Sequence, residues 1–203
     1  MQGDAPEWLG KLVLPGLVCR RHSGGAERGV LKRAANRVIA ATPEKWRDSA
    51  FDGPSEWAYA QVARARGDKQ KAKDEFAAAR EKMEAQQGNK PKDADYFAGV
   101  AKLDAGLGRK EEAIREARQS VEIQSIANDS LNGPTWVTTL ALVYAWTGEP
   151  DRALEQLEKV ATIPGHEHDA VTCGDLRFNP CWDSLRGDKR FDKIVAAAKA
   201  ASK

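Results

Sequence analysis

The chain has 203 residues, 41% hydrophobic and 31% charged, with 32 basic and 30 acidic side chains leaving a net charge of +2. That balance suits a folded, charge-covered protein of one or two domains. It lacks the basic excess of nucleic-acid-binding domains, so nucleic acid is not the expected partner. No stretch approaches the ~18 apolar residues of a membrane helix. Met1-Gln2-Gly3-Asp4 also lacks the basic start and apolar run of a signal peptide. The chain is therefore expected to be soluble, without membrane insertion. Three cysteines, Cys19, Cys173 and Cys181, cannot all pair within one chain, and the simplest reading is reduced thiols, with a Cys173–Cys181 bridge as the alternative.

Residues 1–52 read as a divergent helical hairpin. "ERGVLKRAANRVIAAT" places Val30, Leu31, Ala34, Val38 and Ile39 on one helical face, and "PEWLGKLVLPGLVCRR" supplies a partner helix broken near Pro15, with Gly24-Gly25 as the turn. Thr42-Pro43 and Gly53-Pro54 mark further helix starts on either side of a short segment holding Trp46.

Residues 53–165 contain three related segments, at about 53–87, 94–125 and 134–164. Each has a helix-like run, a turn glycine and a second helix-like run. The turn glycines are Gly67, Gly108 and Gly148, 41 and 40 residues apart. Ala60, Ala101 and Ala141 precede them by seven residues; Ala72, Ala113 and Ala153 follow by five, then Phe76, Ala117 and Leu157. A glycine just past a helix adopts the left-handed conformation that satisfies orphan carbonyls. Small residues on both sides let two antiparallel helices cross closely. Pro150 fits the first turn of a helix, where its missing N–H costs nothing. The apolar stripes Ala72, Phe76, Ala79, Met83, then Ala113, Ile114, Ala117, Val121, then Ala153, Leu154, Leu157, Val160 are core.

This pattern resembles the tetratricopeptide repeat, which has small residues at its eighth and twentieth positions, an aromatic at the eleventh and a large apolar residue at the twenty-fourth. The third unit carries Ala141, Tyr144, Gly148, Ala153 and Leu157 there, whereas Ala63 and Asp104 replace the aromatic in the first and second. The spacing exceeds the roughly 34 residues usual for the repeat, and the excess is expected in lengthened second helices and in the linkers around Gly88-Asn89-Lys90-Pro91 and Asn128–Gly133. The resemblance implies an all-α fold, a right-handed superhelical solenoid of antiparallel helix pairs with C-terminal capping helices. The tail, residues 166–203, resembles the segment that closes such repeats in bacterial multidomain signalling proteins, kinase-like or transcriptional. Leu176, Pro180, Trp182, Asp183, Leu185, Arg186, Asp188, Arg190 and Phe191 carry the likeness. Asn179-Pro180 and Asp188 read as starts of two short helices, with Trp182, Leu185 and Phe191 turned inward.

Catalytic signatures are absent: "GLGRKEE" has neither the spacing nor the context of a phosphate loop, and no nucleophile elbow or H-E-x-x-H occurs. Glu111-Glu112 complements a helix dipole. His166, His168, Cys173 and Cys181 are spaced too loosely for a structural zinc site. They read as an exposed loop with two small buried thiols, zinc being the alternative. No cofactor is expected.

In the family it resembles, the first helix of each unit lines a groove. The corresponding positions are Pro54, Trp57, Gln61 and Arg64; Asp95, Ala98, Lys102 and Ala105; Thr135, Thr138, Leu142 and Ala145. The resemblance implies a non-catalytic module that binds a peptide or protein through Trp57, Gln61, Arg64, Lys102, Thr138 and Leu142, with Arg64 and Lys102 orienting acidic groups. Trp57 packing between units is the alternative for that residue, and packing against the cap is the alternative to ligand contact for Trp146. A self-associating homodimer is the second reading of the chain, and a metal- or small-ligand-binding domain the third.

Overall fold

A computed structural model describes residues 45–47, 52–163 and 171–201. Those residues are mostly helical. All three turn glycines sit in the left-handed region, Gly67 at φ 78°, Gly108 at 81° and Gly148 at 80°. The N–H after each glycine bonds the carbonyl five residues back: Asp68 to Ala63 at 3.0 Å, Arg109 to Asp104 at 2.9 Å, Glu149 to Tyr144 at 2.9 Å. This bond closes the C-terminus of a helix. The next helix then starts with the N–H of Ala72, Ala113 and Ala153 bonding Asp68, Arg109 and Glu149, each at 3.0 Å. One turn geometry thus occurs three times.

The turns join α1 (Glu56–Ala65) to α2 (Lys69–Gln87), α3 (Ala94–Leu107) to α4 (Lys110–Ile123), and α5 (Gly133–Trp146) to α6 (Pro150–Val160). Each of these helices packs against the next along the chain, and α3 also packs against α5. The alanines beside the turns, Ala60, Ala72, Ala101, Ala113, Ala141 and Ala153, are all buried, as are Phe76, Ala117, Leu157 and Tyr144. Pro150 stands at the start of α6. Close approach is required at Gly106, where a Cβ would come within 2.6 Å of the Phe76 ring. Glycine there lets α3 lie against α2.

The excess over a shorter repeat is distributed unevenly. Helix α2 runs 19 residues, but α4 runs 14 and α6 only 11. In the second unit the extra length lies in the linker after α4, not in the helix. Asp129 organises that linker: its carboxylate accepts from the N–H groups of Leu131 and Asn132, both at 2.9 Å, and from Gln124 Nε2. These bonds hold its pKa down at about 2.

The cap comprises α7 (Cys173–Phe178), the 3-10 helix η1 (Pro180–Leu185) and α8 (Lys189–Ala201). Trp182, Leu185 and Phe191 are buried, as their pattern predicts. Asn179 Oδ1 accepts from Cys181 N at 3.0 Å, and Asp188 Oδ1 from Arg190 N at 2.8 Å, marking the two starts. Helix α7 corrects the expectation of a loop through Cys173. Thr172 Oγ1 accepts from Asp175 N at 3.0 Å and nucleates a six-residue helix. Trp182 Nε1 then donates to Asp175 at 2.8 Å, tying η1 to that helix.

At the front, strands β1 (Lys45–Arg47) and β2 (Asp52–Pro54) pair antiparallel, with Trp46 opposite Gly53. The expected helix start at Gly53-Pro54 is therefore displaced. Proline, having no N–H, is tolerated where a strand ends, and α1 begins after Ser55. The remainder of the expected N-terminal hairpin, with Thr42-Pro43, lies outside the described residues. Among the described residues no helix is long and apolar enough to cross a membrane.

Candidate functional site

The residues expected to line a groove do not share one environment. Trp57, on the first turn of α1, is 0% exposed. Its indole stacks on that of Trp146, centroids 5.9 Å apart and planes 14° from parallel, and meets Phe76 edge-on at 5.8 Å. Phe76 also packs edge-on against Trp146, at 6.2 Å. Arg64, two turns further along α1, sets its guanidinium carbon 3.7 Å from the centre of the Trp146 ring. Such a contact gains from the ring quadrupole and from shared desolvation. Burial of the head group lowers the arginine pKa, Cys181 and Asp183 acting in the opposite sense. The residue as a whole remains exposed at the surface. Gln61, between Trp57 and Arg64, is half-buried, and no hydrogen-bond partner reaches its Nε2 among the described residues.

Trp146 ends α5 and is also held from its far side. Its Nε1 donates to the carbonyl of Cys181 at 2.9 Å, and the neighbouring Ala145 carbonyl accepts from Ser184 Oγ at 3.1 Å. The first helix, the fifth helix and the cap therefore meet at one indole.

Lys102 is 7% exposed on α3. Leu142 is buried in the core that α5 shares with α6 and the cap. The Thr138 hydroxyl donates to the Pro134 carbonyl at 2.9 Å, within its own helix. Of the six expected groove residues, the structure brings Trp57 and Arg64 onto Trp146 and leaves Gln61 between them along α1, whereas Lys102, Thr138 and Leu142 lie on other helices. Arg64 is the one cation of the set with an exposed outline.

A second polar cluster was not anticipated. Asp104, 1% exposed, accepts from Arg80 Nε and from Arg109, each at 3.1 Å. Glu116 on α4 is buried beside it, with Arg80 3.6 Å away. The signal was present in the sequence: Asp104 stands where the resembled repeat has an aromatic, and a carboxylate at a core position demands partners.

Among the described residues no group of three side chains could hold a metal ion. Cys173 and Cys181 are not joined by a disulfide, and His166 and His168 lie outside the described residues. In comparisons with known proteins, no family model, no curated protein and no solved structure matches the chain.

Proposed function

We propose that the chain is a non-catalytic interaction scaffold, a tetratricopeptide-like solenoid of antiparallel helix pairs, that binds a protein or peptide as part of a larger bacterial signalling protein. The observation that carries this reading is the threefold recurrence of one turn geometry at Gly67, Gly108 and Gly148, with the flanking alanines buried each time. Stacked helical repeats build extended concave surfaces, and it is through such a surface that they bind partners. Arg64 is the anchor of the proposed binding face. It is exposed, fixed by its stack on Trp146, and suited to orient an acidic group of the partner.

The test is capture of native partners by wild type and by Arg64→Glu, with matched circular dichroism showing both folded. Loss of a partner in the variant supports the reading, and an unchanged set of partners removes Arg64 from it. Lys102→Glu is unsuitable as a companion, because burying a carboxylate in place of the lysine would perturb the fold itself.

Self-association is the second reading. Ile123, at the end of α4, and Leu131, within the linker that follows it, are 46% and 55% exposed. Sedimentation over a dilution series distinguishes the two: a dimer persisting at nanomolar protein favours self-association.

A further inference from the structure

The cluster around Asp104 sits where the first two units join. Arg80 comes from α2, Asp104 from α3, Glu116 from α4 and Arg109 from the turn between α3 and α4. Both oxygens of Asp104 are occupied, Oδ2 by Arg80 and Oδ1 by Arg109. Arg80 is also paired with Glu84 on its own helix. Glu116 Oε1 faces Arg80, but among the described residues no donor reaches the buried Glu116 Oε2. Arg115, on the same helix, is the other cation acting on Glu116. Helix α5, which also packs on α4, contributes no charged side chain; its one titratable group, Tyr144, accepts from Arg118 at 3.1 Å.

Three carboxyls thus face two close arginines. A buried oxygen with no donor is satisfied if it carries the proton itself and donates to a neighbouring carboxylate. We propose that Glu116 and Asp104 share one proton, and that losing it sets two like charges against each other between α3 and α4, so that this helix pair tightens in mild acid and relaxes above neutrality. The step is a simple ionisation: the Oε2–H bond breaks, the proton leaves to water, and the negative charge left behind adds to that of Asp104. Burial of Glu116 acts in the same direction, raising its pKa to about 7; its hydrogen bond with Asp104 and that group's charge add to the effect, and Arg80 and Arg115 oppose it.

Carbon-detected NMR of the whole chain, labelled at the glutamate carboxyls, tests this. One glutamate is expected to titrate with a midpoint of about 7, and its resonance should be missing from Glu116→Gln. In Asp104→Asn the midpoint should drop towards the ordinary range. The mechanical part is read by amide hydrogen exchange of α3 and α4 between about pH 5 and pH 8. The opening constant of wild type relative to Glu116→Gln should rise by up to ~10-fold per pH unit below the midpoint and level off above it. His22, His166 and His168 are common to both proteins and cancel in the ratio. If every glutamate titrates below about pH 5.5, the shared proton is ruled out. A flat exchange ratio would overturn the proposal that the proton governs the packing of α3 on α4.

Discussion

The indole of Trp146 lies 5.9 Å from that of Trp57 and nearly parallel to it, joining the last turn of α5 to the first turn of α1. Because Trp146 Nε1 also bonds the Cys181 carbonyl, one side chain links the first unit, the third unit and the cap. Trp146→Ala removes the stack, the Phe76 contact and the platform beneath Arg64. It should destabilise the protein by ~3–5 kcal/mol in urea unfolding. Trp146→Phe keeps an aromatic ring but not the hydrogen bond, and should lose clearly less. Equal losses in the two variants would show that the indole acts through the Cys181 bond and not through packing.

Gly106 and Phe76 form a matched pair. Gly106→Ala drives a methyl into the Phe76 ring and should destabilise by ~1–3 kcal/mol. Phe76→Leu in the same chain opens space, so the double variant should lose less than the sum of the two single ones. Gly133→Ala is expected to behave differently. There a Cβ would meet the backbone of Ile126 at 2.6 Å, and no side-chain change can relieve it. Thermal unfolding of the three single variants and the double variant checks both expectations.

The Glu116 carboxyl gives the sign of a pH dependence. Its folded pKa is raised from 4.5 to about 7, so the folded state holds the proton more tightly than the unfolded chain. The Glu116 contribution to stability is at its full value below pH 4.5, declines between 4.5 and about 7, and is lost above that. Glu116→Gln removes the ionisation and should exceed wild type by roughly 2–3 kcal/mol at about pH 8, the advantage vanishing at about pH 4. Urea midpoints across that range measure it.

How much of this was legible depends on the range of the interactions. The turn glycines, the alanines beside them and the inward faces of Trp182, Leu185 and Phe191 were readable because local conformation and helical period fix them. The placement of Trp57 against Trp146 was not, because periodicity assigns a residue to a face but not to a partner 89 positions away. Sequence patterning left Trp57 and Trp146 each with two alternatives, and the structure places both in packing contacts. Lys102 was assigned to a groove by register alone, although its neighbours bury it. Helix α7 was missed because Cys, Gly and Asp are weak helix formers and a six-residue segment shows no period. The Arg80–Asp104–Glu116 cluster spans three helices, so only the misplaced charge at Asp104 hinted at it.

The central claim is that the repeats hold a partner through a surface anchored by Arg64. The most direct measurement is selection of a random peptide display library on immobilised wild type, followed by titration of the enriched peptides against wild type and Arg64→Glu, both shown to be folded. The account predicts enriched sequences carrying acidic residues, with affinity at least ~10-fold weaker for the variant, the equivalent of ~1.4 kcal/mol. Enrichment of no peptide, or of peptides that bind both proteins equally, would contradict it.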